Sequence, residues 1–450
     1  MHPTTTIVAL STPLGSGALA IVRLTGPEAE DIARKMARLS GPLIANKVSI
    51  TKVYCAEELL DKVGLVFYKS PNSYTGEDVI EITCHGSIYI IERIIQECQR
   101  YGALPARPGE FTKRAYLNGK MDLLEAESVA DLIFASTQNA HRIAMDHLGG
   151  YLGAELRGIR NHLIELIGTL ELELDFNEQE PLYSPKILMT RALGSIHKKT
   201  RKMLETYSYG KIIRLGAYVP IVGPPNSGKS SLLNALIEEE RAIVTPYPGT
   251  TRDTIEETFT RGGYHFRLVD TAGLRATRNP IEKIGIERTY AMVKKADLIL
   301  FIVDITARQQ GLAQKIPSEK RIIIVLNKVD IASKRQIQRV EKKYSGYDKI
   351  LVSAKQHTKI HELADMMVSQ IKSAPCSNNE HIITQARHAS AIKQFNRNIR
   401  RALVLFKQGR PVDMVAFELR AALEHIDLIL GKTTNEDILN NIFGRFCIGK

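Results

Sequence analysis

The chain has 450 residues, of which 44% are hydrophobic and 24% charged, a composition typical of a globular protein of about three domains and not of a disordered one. Lys and Arg number 61 against 49 Asp and Glu; this surplus of 12 suits a polyanionic partner such as RNA, and also a plain basic surface. Five scattered cysteines without a Cys-x-x-Cys pair indicate reduced thiols. No apolar run is long enough to cross a bilayer, so we expect a soluble, cytoplasmic protein.

Residues 1–118 combine strand-like runs with one clear helix. Apolar or alternating runs predict four strands, at residues 6–10, 18–24, 63–68 and 78–83. The helix is predicted over residues 87–101, before Gly102. Three polar, glycine-bearing loops lie at residues 71–78, 85–86 and 107–112. Such loops often carry binding residues on an α/β scaffold, so a ligand site is one hypothesis and plain turn chemistry is the other.

The remaining chain alternates between two kinds of pattern. Apolar residues three and four apart predict helices at 123–136, 140–152, 154–176 and 184–207. Strands and helices alternate from residue 216 to 374, and helices return from residue 386. Because helical segments flank an α/β unit, we expect an α/β domain inserted into a helical one. The predicted domains are an N-terminal α+β domain, the first helical part, the α/β domain and the second helical part, at 1–118, 119–212, 213–375 and 376–450.

A phosphate-binding loop organises the inserted domain. Residues 223–230 read Gly-Pro-Pro-Asn-Ser-Gly-Lys-Ser, between a strand predicted at 217–222 and a helix predicted at 231–237. Backbone amides and the helix N-terminus would hold phosphates there, with Lys229 at the β- and γ-phosphates and Ser230 on Mg²⁺. The loop residues expected to bind the nucleotide are Asn226, Ser227, Gly228, Lys229, Ser230 and Ser231.

Two further motifs predict the rest of the phosphate and magnesium site. A strand at 265–269 leads into Asp270-Thr271-Ala272-Gly273, where Asp270 can hold Mg²⁺ through water and the Gly273 amide can meet the γ-phosphate. Residues 249–253, Gly-Thr-Thr-Arg-Asp, supply Thr251 as a second protein ligand to Mg²⁺.

The base is predicted to be guanine. Asn327-Lys328-Val329-Asp330 follows a buried-type strand, and the Asp330 carboxylate can accept from guanine N1–H and its exocyclic amine, which adenine does not match. Ser353-Ala354-Lys355 follows the next strand, with the Ala354 amide facing guanine O6. Five motifs in order on strand ends indicate a GTP-binding domain.

The group that orients the attacking water is not the usual one. Leu274 follows Gly273, where Ras-like enzymes have glutamine. Arg275, Glu282 and Asn226 are the candidates for this task, although Glu282 could equally be an ordinary carboxylate at a helix start.

These motifs resemble those of the bacterial and organellar tRNA-modification GTPases of the MnmE (TrmE) family, over the whole chain. The likeness is carried by Asn-Ser-Tyr-Thr-Gly-Glu-Asp at 72–78, Arg-Pro-Gly-Glu-Phe at 107–111, the GTPase motifs, and Phe-Cys-Ile-Gly-Lys at 446–450. It implies an N-terminal α+β domain that binds formyl-tetrahydrofolate, and a helical domain with an inserted P-loop Ras-like α/β G domain.

The resemblance also implies a function. It predicts a homodimer formed through the N-terminal domains, in a heterotetramer with the flavoprotein MnmG, which uses FAD and NADH. Such complexes add an aminomethyl or carboxymethylaminomethyl group to C5 of the wobble uridine (U34) of tRNA, with 5-formyl-tetrahydrofolate or a related folate as one-carbon source. The alternative is an Era-like GTP switch in ribosome assembly. A Gly-x-x-Gly RNA loop after the G domain would favour that alternative, and residues 376–450 contain none.

Site residues follow from the resemblance position by position. Asn226, Thr245, Tyr247 and Thr250 match a K⁺ site, and a cation there can balance transition-state charge as an arginine finger does. Glu282 matches the water-orienting carboxylate of the family. The folate positions are Arg23, Glu81 and Lys120, with Lys450 near them. Cys447 matches a cysteine that is either a packed thiol at the dimer contact or a nucleophile.

Two basic helical segments are candidates for contact with tRNA phosphates. Residues 197–202 read His-Lys-Lys-Thr-Arg-Lys, and a later series falls at three- and four-residue spacing, comprising Lys393, Arg397, Arg400, Arg401 and Lys407. The alternative for both is an ordinary solvated helix face.

Overall fold

The structure, a computed structural model, describes residues 5–175, 186–239, 256–270, 291–307, 319–372, 381–433 and 435–450. The chain divides into two compact units. The first comprises Met1–Ala130, His147–Ala154 and Asp427–Lys450, and the second comprises Asp131–Asp146 and Glu155–Ile426. Both ends of the chain thus lie in the first unit. The finer division into four segments stays a prediction.

A six-stranded sheet forms the centre of the first unit. Its strands are β1 Ile7–Leu10, β2 Gly17–Thr25, β3 Val48–Cys55, β4 Glu58–Tyr68, β5 Val79–Gly86 and β6 Leu104–Pro105. They lie in the order β3-β4-β5-β2-β1-β6, and all neighbours are antiparallel except β1 and β6. Strand β3 was not predicted, because its apolar residues change from one face to the other between Ile50 and Val53, so its sequence does not alternate throughout.

The first four helices of the chain begin in the first unit: α1 Ala29–Ala37, α2 Ile88–Arg100, α3 Glu110–Leu117 and α4 Leu123–Ile133. Helices α1 and α2 bury their apolar sides against one face of the sheet, where Leu24 and Ile82 are fully buried. The prediction of a single helix before residue 118 was therefore wrong. Helix α3 begins within a segment predicted as a loop, because Gly109 adopts φ +67° and the Glu110 carboxylate accepts from the Arg107 amide at 2.8 Å.

Within the described ranges, four more helices lie between α4 and the nucleotide-binding motifs: α5 Gln138–Leu148, α6 Tyr151–Asp175, α7 Lys186–Glu205 and α8 Tyr207–Leu215. The break between α5 and α6 falls earlier than predicted. It lies at Gly150, whose φ of +76° suits glycine and ends the preceding helix. The long helix predicted to end at residue 207 is interrupted at Thr206, whose hydroxyl bonds back to the Met203 carbonyl at 2.7 Å.

A second six-stranded sheet carries the nucleotide-binding motifs. Its strands are β7 Ala217–Val222, β8 Glu256–Arg261, β9 Tyr264–Asp270, β10 Ile299–Asp304, β11 Ile322–Asn327 and β12 Asp348–Leu351. Their order is β12-β11-β10-β7-β9-β8, parallel except for β8 against β9. Its helices include α9 Lys229–Glu239, α10 Lys334–Lys343 and α11 Ile360–Lys372. The predicted P-loop α/β fold is confirmed, and the carboxyl ends of its parallel strands meet at one edge.

The last helices are α12 Ala386–Lys407, α13 Val412–Leu430 and α14 Glu436–Phe443. Helices α7 and α12 pack together in the second unit, where the Asn396 side-chain oxygen lies 2.9 Å from His197 Nδ1 and 2.8 Å from Thr200 Oγ1. Across the described ranges, no helix is both long enough and apolar enough to span a membrane.

Candidate functional site

The phosphate-binding loop connects β7 to α9, as predicted. The Lys229 ammonium group donates to two loop carbonyls, Gly223 O at 3.0 Å and Pro224 O at 2.8 Å. Its side chain is therefore held over the loop, where nucleotide phosphates bind in proteins of this fold. Burial lowers the pKa of Lys229, and the nearby Asp270 carboxylate opposes that effect.

Both loop glycines are required by close approaches of the backbone. A Cβ at Gly223 would lie 2.5 Å from the Ile302 carbonyl oxygen of β10. Gly228 adopts φ +97°, and a Cβ there would collide with the side-chain amide of Asn327. The loop therefore fits tightly between the ends of β10 and β11.

Two oxygen-bearing side chains that could coordinate a magnesium ion lie next to each other. Ser230, in the first turn of α9, donates its hydroxyl to Asp270 Oδ2 at 2.8 Å, at the end of β9. A hydroxyl and a carboxylate are hard oxygen ligands, so the pair fits Mg²⁺, which would neutralise phosphate charge. Ser231 is exposed beside them on the same helix end. Within the described ranges, no cluster of three or more His, Cys, Asp or Glu side chains could hold a metal ion.

Asn327 ties the phosphate loop to the predicted base-binding loop. Its side-chain amide donates to Ser227 O at 2.9 Å, and its side-chain oxygen accepts from the Ala354 amide at 3.0 Å. Asn327 is only 3% exposed, so water does not replace these bonds easily. The Asp330 carboxylate accepts from Ser353 Oγ at 2.8 Å and is exposed, as a residue that reads a bound base must be.

Lys328 is held by a residue that the sequence analysis missed. It adopts φ +70° and donates to Asn226 O at 3.0 Å and to Asp304 Oδ2 at 2.7 Å. Burial alone would raise the pKa of Asp304, but hydrogen bonds from Lys328 and Thr306 outweigh it and lower that pKa. The available signal was an acidic residue at the end of a fully buried strand, β10.

The sheet edge thus collects most of the described nucleotide-site residues. Hydrogen bonds link neighbouring members of this group, which lies at the carboxyl ends of the strands and comprises Asn226, Ser227, Lys229, Ser230, Asp270, Asn327, Lys328, Asp330, Ser353 and Ala354. Lys355 follows as an exposed residue of the same loop. Nine predicted residues lie outside the described ranges: Thr245, Tyr247, Thr250, Thr251, Thr271, Ala272, Gly273, Arg275 and Glu282.

A second cluster of predicted residues lies in the first unit. Arg23 on β2 and Glu81 on β5 are directly opposite in the strand register, and their charged groups approach to 2.7 Å. The Arg23 guanidinium also lies 5.6 Å from the ring centre of Tyr74 and 5.8 Å from that of Phe111. The sequence analysis did not single out these two aromatic residues, because nothing in their local pattern points to Arg23.

The C-terminal residues join this cluster. The Gly449 carbonyl accepts from Ser11 Oγ at 3.2 Å and lies 3.5 Å from Arg23 Nη1. Burial, with the positive charge of Arg23, lowers the pKa of Lys450, while Glu81 and Cys447 act in the opposite direction. Gly449, the residue before Lys450, therefore lies beside Arg23, and the assignment of Arg23, Glu81 and Lys450 to one ligand site stays a prediction.

Two other predicted residues lie beside or apart from this cluster. Cys447 is an exposed, free thiol. Lys120 donates to the Pro71 carbonyl at 2.9 Å, so it holds the polar loop at 71–78 rather than the Arg23–Glu81 pair.

The fold of the second sheet and the site at the carboxyl ends of its strands define the class of protein. A P-loop, a Ser–Asp magnesium pair and an Asn-Lys-x-Asp motif at one edge of a parallel sheet are the features of a P-loop GTP-binding protein.

Comparisons with known proteins define the family. The model of the MnmE helical domain matches residues 123–447, and that of the GTP-binding protein TrmE N-terminus matches residues 6–120. Proteins described as tRNA modification GTPase MnmE are 38% identical in Flavobacterium psychrophilum and 37% in Bacteroides fragilis, over 99% of both chains. The one from Thermotoga maritima is 38% identical over 99% of this chain and 100% of its own.

Among solved structures, the FeoB G domain from Methanococcus jannaschii is 31% identical over 35% of this chain and 98% of its own. Its TM-score of 0.27 is too low to support an argument.

The chain belongs to the MnmE (TrmE) family of tRNA modification GTPases, and it is a GTPase with a role in tRNA modification. The predicted family and enzyme class are confirmed. The match over almost the whole length favours this role over the Era-like alternative.

Proposed function

We propose that the chain hydrolyses GTP in a K⁺-dependent reaction and, with the flavoprotein MnmG, adds an aminomethyl or carboxymethylaminomethyl group to C5 of the tRNA wobble uridine. The observation that carries the proposal is the presence of two separate sites in one chain. One is the guanine-nucleotide site at Lys229 and Asp330, and the other is the cluster of Arg23, Glu81 and Lys450. In this scheme FAD and NADH belong to the partner, and the cytoplasm supplies the tRNA.

The second site suits a one-carbon folate such as 5-formyl-tetrahydrofolate. The Glu81 carboxylate can accept from the N–H groups of the pterin ring, and the Arg23 guanidinium paired with it can donate to the carbonyl oxygen of the same ring. Lys450 adds positive charge beside them. The ring of Tyr74, which is partly exposed beside Arg23, supplies flat apolar surface for such a ring.

Equilibrium dialysis with 5-formyl-tetrahydrofolate tests this assignment. Arg23→Ala should weaken binding at least tenfold, because it removes one charged partner and leaves Glu81 without its ion pair. Lys113→Ala is the matched control, since Lys113 donates to Asn440 and not to the cluster. Equal binding by wild type and Arg23→Ala would count against a folate site at this cluster.

Asn226 is the one proposed K⁺ ligand that lies within the described ranges. It adopts φ +61° in the phosphate loop, its carbonyl accepts from Lys328, and the residue is exposed. An amide oxygen is a suitable K⁺ ligand, and the cation would offset charge near the phosphates. GTP hydrolysis should be faster in KCl than in NaCl of equal concentration, and Asn226→Lys should abolish the difference. Equal wild-type rates in both salts would refute the K⁺ dependence.

A homodimer is supported by exposed apolar residues on β3, at the edge of the first sheet. The strand register places Ile50, Gly64, Thr83 and Ile21 in one row across the face opposite α1 and α2. Ile50 is 66% exposed there. Light scattering after gel filtration should therefore find a dimer, and Ile50→Asp should give monomers. Ile331→Asp is the matched control, because Ile331 is 67% exposed in the second unit; a wild-type monomer would refute the proposal.

Closure of two G domains around GTP, with Glu282 orienting the attacking water and Arg275 close to it, completes the scheme. These residues lie outside the described ranges, and their roles rest on the family resemblance.

A further inference from the structure

Helix α12 has an unusual charge pattern for a surface helix. Its 22 residues, Ala386–Lys407, contain no Asp or Glu. Four exposed cations, Lys393, Arg397, Arg400 and Lys407, repeat at intervals of four, three and seven residues and so lie on one face; we term them the basic stripe. The stripe extends along about 21 Å of the helix axis, at a rise of about 1.5 Å per residue.

The opposite face of α12 packs in the core of the second unit. His388, Ile392, Phe395, Ile399 and Ala402 are all buried. The helix therefore has no free apolar face to insert into a lipid surface. Val404 is the one strongly exposed apolar residue among the stripe cations. The centre of a protein–protein interface is apolar and poor in lysine, so this face does not resemble one.

The stripe cations also lack acidic partners. Across the described ranges, none of the four forms an ion pair, whereas Arg401 on the flank of the stripe lies 3.7 Å from Glu418. Like charges three and four residues apart repel one another on a helix, by a few tenths of a kcal/mol per pair. An ordinary solvated helix mixes both signs, so an unrelieved stripe favours a polyanionic partner over plain solvation.

We propose that the basic stripe on α12 binds the sugar–phosphate backbone of tRNA. The guanidinium groups of Arg397 and Arg400 can pair bidentately with phosphate, and Lys393 and Lys407 add point charges on either side. Such contacts position a nucleic acid without reading its sequence. The proposal rests on the proposed function, because the family role in tRNA modification is what makes tRNA the polyanion expected here.

Filter binding of an unmodified tRNA transcript to the full chain tests the stripe over a range of KCl concentrations. Replacing all four cations with glutamine keeps good helix formers at each position. Log affinity decreases linearly with log salt, and each lost phosphate contact makes this decrease less steep by about 0.7–1. The magnitude of the slope should therefore be smaller by about 3–4 in the variant. If both proteins bind equally at 1 M salt, this change of slope lowers the affinity in 0.1 M salt by about 10³–10⁴-fold.

The matched control carries the same change of charge on another exposed basic helix. Lys334, Arg335, Arg339 and Lys342 of α10 are exposed, and their glutamine variant should bind tRNA with nearly the wild-type salt slope. Equal weakening by both variants would overturn the stripe in favour of unspecific attraction to a basic surface. Unchanged tRNA binding with loss of the flavoprotein partner would likewise overturn it, in favour of a protein-docking surface.

The two proposals fail in different ways. If the wild type binds tRNA and the stripe variant binds it equally well, only the stripe is refuted. If cells that lack the protein keep the modified wobble uridine, the proposed function is refuted whatever the binding data show. Circular dichroism of the stripe variant should match the wild type, since all four side chains point to solvent.

Discussion

The side chain of Asn327 connects two loops of the nucleotide site, and its removal should loosen both. Asn327→Ala leaves the Ser227 carbonyl and the Ala354 amide without their partners, at sites where Ser227 is fully buried and Ala354 is 4% exposed. A buried polar group without a partner costs about 1–3 kcal/mol, so the local free energy of opening should fall by about 2–6 kcal/mol. At about 1.4 kcal/mol per factor of ten, the lower limit corresponds to roughly 30-fold faster amide exchange.

Hydrogen exchange followed by mass spectrometry measures this effect in the nucleotide-free protein. Peptides that cover residues 223–230 and 351–356 should both exchange faster in Asn327→Ala. Ser353→Ala is the control, because it removes the bonds of Ser353 Oγ to Asp330 and to the Gln356 amide, neither of which involves the phosphate loop, and should leave that loop protected. If both peptides of Asn327→Ala stay within threefold of wild type, Asn327 does not connect the loops.

Three further variants test other parts of the structure. Asp330→Asn should lose affinity for GTP and gain affinity for xanthosine triphosphate, whose C2 carbonyl can accept from the new amide; fluorescent-nucleotide titration measures both, and unchanged GTP affinity would be contradictory. Gly449→Ala should weaken folate binding about tenfold or more in the same dialysis, because at φ +94° the new Cβ collides with a β1 carbonyl. Asp61 accepts from the amide and the ring of His85, and these bonds outweigh burial to lower its pKa. This stabilisation is complete above the unfolded pKa of about 3.9 and is lost as pH falls through the lower folded value. Asp61→Asn should therefore reduce the urea midpoint at pH 7 and less so at pH 3.5; an equal reduction at both would refute the charge argument.

Much of the nucleotide site could be predicted from the sequence, because its residues fall in short motifs at the ends of apolar strands. The order of Lys229, Asp270 and Asn327 along the chain, with parallel strands, is enough to place them at one sheet edge. Asp304 was missed because it is a single acidic residue at the end of β10 and belongs to no motif. Its part in the site is the bond that it accepts from Lys328, which is 24 residues away.

The first unit was harder to predict because its contacts are long-range. The Gly449 carbonyl lies beside Arg23, although the two residues are 426 positions apart in the chain. A local sequence pattern does not predict such a long-range contact. Only the family resemblance placed Lys450 near Arg23 and Glu81. Helix α3 was missed for a local reason: Arg-Pro-Gly reads as a turn, yet the glycine serves as the start of the helix.

The central claim is that the chain uses both sites to modify the wobble uridine of tRNA. Mass spectrometry of tRNA nucleosides, from cells that lack the protein and carry one restored variant each, tests it most directly. The C5-modified uridine should be absent without the protein, return with wild type, and stay absent with Asp270→Ala or Arg23→Ala. Wobble uridine that keeps its modification in cells lacking the protein would contradict the proposed function.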